Sequence, residues 1–180
     1  MKATGIVRRI DDLGRVVIPK EIRRTMRIRE GDPLEIFTNK DGEVIFKKYS
    51  ILGDLEEFAS SVCETASRAM GKTVAVADRD SIIAIAGGFR RELLGRHLSE
   101  ELTEIMEGRS IYRFADGEHP VSAVEGGANL FAAIAAPILS EGDALGLVLF
   151  ISEDPADSAG ETEYKLAETL AAFLGRHMES

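Results

Sequence analysis

Residues 1–49 contain neither cysteine nor histidine, yet they read as a folding unit too small to bury a sufficient core by itself. Residues 3–10 suit a strand, broken by the polar turn Asp11, Asp12, Leu13 and Gly14, and residues 15–18 are extended again. Pro19 fits a first helical position, where its missing N–H would have no partner, and Glu21 complements the positive end of the helix dipole. Ile22 and Met26, four apart, form the expected buried stripe, with Arg23, Arg24 and Arg27 on the opposite face. Gly31, Asp32 and Pro33 stop the helix. Strands 34–39 and 44–48 follow, joined through Asp41 and Gly42, a dipeptide suited to positive φ at both turn positions. Without disulfides or metal ligands, such a unit is expected to dimerise, the strands of two copies interleaving.

Charge divides the chain at the same place. Residues 1–49 hold 12 Lys and Arg against 8 Asp and Glu, and residues 50–180 hold 10 against 23, so +4 and −13 give the net −9. Nine of the first twelve cations lie between Lys2 and Arg29. A cationic head on an anionic body points to nucleic acid at one end only, although a short basic stretch alone is as readily a solvated surface.

The segment TGIVRRIDDLGRVVIPKEIRRTMRIREGDPLEIFTNKDGEVIFKK, residues 4–48, resembles the DNA-binding domain of AbrB-type transition-state regulators. The resemblance implies a dimeric swapped-hairpin β-barrel that binds double-stranded DNA. It also implies DNA contact by Arg8, Arg15, Arg23 and Arg24, helped by Lys2 and Arg9. Arg8 and Arg9 are neighbours on an expected strand and should point to opposite sides, which favours Arg8.

At 180 residues, with 44% apolar and 29% charged side chains, the chain has room for one ordinary domain and a small one. The boundaries are expected at 1–53 and 54–180. The longest apolar runs, 130–139 and 144–151, are too short to cross a bilayer, and the charged N-terminus lacks a secretory core. A cytoplasmic, nucleoid-associated protein is expected. Cys63 is the single cysteine, and His97, His119 and His177 are scattered, so neither an internal disulfide nor a metal site is expected.

In the second unit, apolar residues recur at helical spacing from Leu55 to Met70, which predicts an amphipathic helix over 53–70. Residues 73–77 and 81–86 read as a hairpin turning through Asp78, Arg79 and Asp80. Ser99 caps a helix over 100–107, ended by Gly108. Strands are expected at 111–114, 122–124, 132–139 and 144–152 in one antiparallel sheet. Ser158 and Glu161 suggest a capping box for a last helix with Leu166, Leu170, Phe173 and Leu174 on its apolar face.

The order helix, strands, helix, strands, helix, and above all AAIAAPILSEGDALGLVLFISED at 132–154, resembles the GAF fold. The fold class is therefore expected to be α+β: a swapped-hairpin head followed by an antiparallel sheet flanked by helices. The GAF resemblance implies a body that can hold a small-molecule ligand, with no cofactor and no ligand residue assignable. An AbrB-type head on a GAF-like body resembles transcriptional regulators of spore development, which activate some genes and repress others.

Several residues invite chemistry without supporting it. GAF-like enzymes that reduce methionine sulfoxide need a second, resolving cysteine, so Cys63 is read as core packing and no catalytic residue is assigned. His119 reads as a loop residue, His177 as an exposed helix end, and Glu161, Glu163 and Glu168 as a solvated helix face. Gly87 with Gly88, and Gly126 with Gly127, lack any phosphate-loop pattern. Apolar residues left over on the helices at 53–70 and 161–178 could pair between subunits, making a tetramer of two head dimers. The alternatives are a swapped-hairpin antitoxin with an unusual C-terminal domain, and a GAF-like enzyme with an accidental basic head.

Overall fold

The structure is a computed structural model that describes residues 4–49, 56–115, 118–127 and 129–178. The chain divides into two compact units, Met1–Tyr49 and Ser50–Ser180.

In the first unit a single short helix, α1 (Lys20–Thr25), precedes the antiparallel hairpin β1 (Leu34–Thr38) and β2 (Val44–Lys48). Ile36 faces Phe46 and Phe37 faces Ile45 across the ladder. The hairpin turn is built by Asn39, whose side-chain oxygen accepts the N–H groups of Asp41 and Glu43 at 3.1 and 3.0 Å. Only Gly42, and not Asp41, takes positive φ (80°) there, so the turn lacks the pair of positive-φ residues expected.

Other local expectations also change. Residues 4–10 and 15–18 join no strand ladder within this copy, and Gly5 at φ 71° interrupts the strand expected over 3–10. Pro19 is the N-cap, not the first helical residue, at φ −59° and ψ 148°. Ile22 is half-buried and Met26 is 51% exposed, so the expected buried stripe has nothing to cover it within one chain. Arg27 lies beyond the helix at φ 52° and leaves the cationic face.

In the second unit α2 (Glu56–Met70) leads into β3 (Thr73–Ala77) and β4 (Ile82–Ala86), and then the short helices α3 (Arg90–Leu93) and α4 (Glu100–Glu107). Next come β5 (Tyr112–Arg113), β6 (Val121–Ser122), β7 (Phe131–Ser140), β8 (Asp143–Ser152) and α5 (Glu161–His177). The sheet runs β4-β3-β8-β7-β5, with β6 also on β7, and all its pairings are antiparallel. Alternate side chains divide between two cores: Val74, Val76, Ile134 and Phe150 face α2 and α5, whereas Ala75, Ala77, Ala135 and Leu149 face α3 and α4. The fold is thus a sheet with helices on both faces.

Ser99 caps α4 as its position suggests, its hydroxyl accepting the Leu102 N–H at 3.1 Å. The expected capping box of Ser158 and Glu161 does not form. Helix α5 begins after Gly160, and Glu161 instead pairs with Arg113 at 3.1 Å while the Arg113 Nε donates to the Ala159 carbonyl at 2.8 Å. The buried face of α5 also differs from the expected one: Ala167, Ala171, Leu174 and Gly175 face inward, and Phe173 is 50% exposed. Small residues let the helix lie close on the sheet, and a Cβ at Gly175 would collide with the Leu139 carbonyl of β7. Leu55, at the start of the expected stripe on α2, lies outside the described residues.

Candidate nucleic-acid interface

One arginine of the first unit, Arg15, is held by local hydrogen bonding. Asp11 organises the first turn, its Oδ1 accepting the Leu13 and Arg15 N–H groups at 3.0 and 2.8 Å while the Asp11 N–H donates to the Arg15 carbonyl at 3.0 Å. Its Oδ2 takes the Arg15 Nε at 2.8 Å. These bonds from the Arg15 backbone and side chain hold the Asp11 carboxyl below its ordinary pKa. Arg15 is therefore fixed in direction, with its side chain still 69% exposed.

Arg23 and Arg24 occupy the last turn of α1, both exposed. The helix ends in a Schellman arrangement: the Ile28 N–H reaches the Arg23 carbonyl at 2.8 Å, and the Arg27 N–H reaches the Arg24 carbonyl at 3.2 Å. Arg8 and Arg9 are exposed as well. Among the described residues, no carboxylate pairs with Arg8, Arg9, Arg23 or Arg24. Lys2 lies outside the described residues. Five of the six expected contact residues are thus solvent-facing on one small unit, and four carry an uncommitted guanidinium.

Apolar exposure accompanies the charge. Among the described residues, twelve large apolar side chains of this unit are exposed, including Val7 (87%), Val17 (70%), Ile36 (61%) and Phe46 (41%). Pro19 is its single buried residue among those described.

Cys63 of the second unit is fully buried on α2, and burial pushes its thiol up to about 12, far from a reactive thiolate. Among the described residues no group of three His, Cys, Asp or Glu could hold a metal, and no helix is long and apolar enough to cross a membrane. His119 is exposed outside the helices and strands, and His177 is an exposed helix end on α5 as expected, its ring stacking on Phe58 of α2 with centroids 4.6 Å apart.

Two features of this unit escaped the sequence. An apolar groove of about 230 Å³ runs between α2 and α5, lined by Val62, Ala66, Ala69, Leu166 and Leu170. On the other face of the sheet, the Tyr112 hydroxyl is buried and makes no well-formed hydrogen bond among the described residues. Its burial, and then the nearby Glu118 carboxylate, raise its pKa, although the Val121 backbone lies near enough to offset part of that rise. A lone Tyr on a two-residue strand carries no sequence signal for that.

Comparison with known proteins gives these units their relatives. Residues 54–179 match the family described as stage V sporulation protein T C-terminal, transcription factor, and residues 7–51 match the MazE family of bacterial antitoxins. Over residues of the head, the transition state regulatory protein AbrB of Bacillus subtilis is 61% identical across 49 residues, 27% of this chain and 50% of that protein. For the body, the GAF domain of a Coxiella burnetii phosphoenolpyruvate-protein phosphotransferase has a TM-score of 0.53 at 18% identity, covering 69% of this chain and 82% of the other. A free methionine-R-sulfoxide reductase from Thermoplasma acidophilum shares the fold at a TM-score of 0.52 and 14% identity, over 70% and 96%.

Fold and head together define a class: an AbrB-like unit followed by a GAF-like body, the architecture of a transcription regulator. Stage V sporulation protein T of Bacillus subtilis is 48% identical over 181 residues, 99% of either chain. The chain belongs to the stage V sporulation protein T family.

Proposed function

We propose that the chain is a DNA-binding regulator of sporulation genes, activating some promoters and repressing others, with its cationic head on the duplex. The observation that carries this is the full-length similarity to a sporulation transcription factor, with both units in the same order. Arg8, Arg15, Arg23 and Arg24 meet the DNA, with Arg9 and Lys2 adding to the field. Phosphate contacts supply most of the affinity, and base edges and DNA shape supply the specificity. The protein works in the cytoplasm, where the DNA is.

The head acts as a pair. Its exposed apolar side chains need a cover, and a second copy supplies one whose strands can take up residues 4–10 and 15–18. The body joins two such pairs into a tetramer through α2 and α5, whose groove and whose Phe173 are apolar and accessible. Two heads on one DNA then bind with a raised effective concentration. The body also senses a small molecule, and the buried Tyr112 hydroxyl supports that reading, because its proton finds no well-placed acceptor among the described residues and a buried donor is costly unless something accepts from it.

The reading is non-enzymatic: the sulfoxide reductase shares the fold alone, and Cys63 is neither accessible nor ionisable near neutrality. The MazE match favours an antitoxin as second reading, but it stops at residue 51, while residues 54–179 match a transcription-factor family. Co-purification of a stoichiometric toxin would revive it.

Fluorescence anisotropy against salt tests the proposal. A head pair that neutralises roughly six phosphates gives a slope of log affinity on log salt of about −5. A slope near zero removes the DNA-binding reading.

A further inference from the structure

The end of α1 is held in place from the hairpin. Arg27 stands at the left-handed position of the Schellman arrangement with φ 52°, a conformation that side-chain-bearing residues rarely adopt and that glycine usually supplies. Such strain persists where surrounding bonds over-determine it, and it gathers at functional places. Here the bonds come from β2. Lys48 Nζ donates to the Arg27 carbonyl at 2.9 Å and lies 3.5 Å from Asp32 Oδ2, and the Asp32 side chain is only 6% exposed. That same carboxylate oxygen accepts the Arg29 N–H at 2.8 Å. The Tyr49 N–H, next along the chain, closes on the Pro33 carbonyl at 3.0 Å.

The geometry points to Lys48 and Asp32 as positioning residues for DNA recognition: a clamp that locks the carboxyl end of α1 to the hairpin and so aims Arg23 and Arg24. The inference rests on the DNA-binding reading above. The carbonyls bonded within the Schellman arrangement are those of Arg23 and Arg24 themselves, so loosening Arg27 loosens the backbone that carries both guanidiniums. A positive charge at this end also suits the helix dipole. Lys48 thus serves the interface through the main chain, and its ammonium is spent on Arg27 and Asp32, not on phosphate.

The test uses the full chain and a duplex selected by the wild-type protein from a random pool. Lys48→Met should weaken binding to that duplex about five- to tenfold, the scale of a lost charge-assisted hydrogen bond, and Lys48→Arg should restore most of it. The salt slope should stay unchanged, and the loss should largely vanish in an Arg23→Ala, Arg24→Ala background, because the clamp acts through those side chains. A slope shallower by about 1 would make Lys48 a direct phosphate contact and overturn the inference. Losses that simply add to those of Arg23 and Arg24 would overturn it equally. If Lys48→Met does not fold by circular dichroism, Asp32→Asn takes its place with the same expectations. Failure of the wild-type chain to bind any duplex would instead remove the DNA-binding reading itself.

Discussion

The two units handle their apolar side chains in opposite ways. The body buries them on both faces of its sheet, and among its described residues only Leu139 and Phe173 are large, apolar and exposed. The head leaves twelve such side chains in solvent and buries only Pro19 among its described residues. The body is a fold that closes on itself, and the head, taken as one copy, leaves its apolar side chains uncovered. What separates them is length: about fifty residues cannot surround a core, whereas the longer body can.

This contrast can be broken by mutation, the largest effect coming first. Leu149→Ala, in the fully buried core of the body, should cost about 2–5 kcal/mol, read as a lowered denaturant midpoint of the full chain. Phe46→Asp should matter nearly as much, although Phe46 is 41% exposed in the single chain. An ordinary surface change would be worth within about 0.5 kcal/mol, so a loss of head association by sedimentation would show that the exposure is covered by a second copy. An unaltered mass and melting curve would show the opposite.

Arg23→Ala and Arg24→Ala should leave the melting curve unchanged and weaken duplex binding by roughly tenfold each, measured by anisotropy at moderate salt. Normal binding by both variants would displace the interface from α1. The smallest effect concerns Asp11. Its pKa in the folded chain is below the ordinary value of 3.8, so its contribution to stability is present above that pH and fades as pH falls through the lower folded value. Asp11→Asn should therefore narrow the difference between stability at pH 5 and at pH 2. An acid limb identical to wild type would mean the Asp11 turn adds nothing to folding.

Much of this was readable along the chain where the signal was local. The hairpin of β1 and β2, the β3–β4 hairpin, the long β7–β8 pair and the Ser99 cap all depend on neighbours in sequence, and their patterns identified them. What sequence missed depends on residues far apart. Arg113 takes Glu161 and Ala159 from 48 and 46 positions away, which displaces the expected capping box, and the Glu163 carboxylate lies over Gly160 instead. Phe173 reads as core by periodicity, but the close approach of Gly175 to β7 rotates it outward. Helix α3 is only four residues long and follows Phe89 at φ 57°, too short to leave a periodic trace. Charge and family pattern single out the arginines of the head from sequence, whereas the Lys48–Asp32 contact needed coordinates, since Asp32 lies in the connection between α1 and β1 and Lys48 on β2, sixteen residues further on.

Amide hydrogen exchange at residues 6–10 and 16–18 of the full chain tests the central claim most directly. Within one copy these residues belong to no strand ladder. If a second chain completes the head, their N–H groups pair across the two copies and exchange orders of magnitude more slowly than in an unfolded peptide. Exchange at unfolded-peptide rates, at concentrations where the chain is oligomeric, would contradict the account.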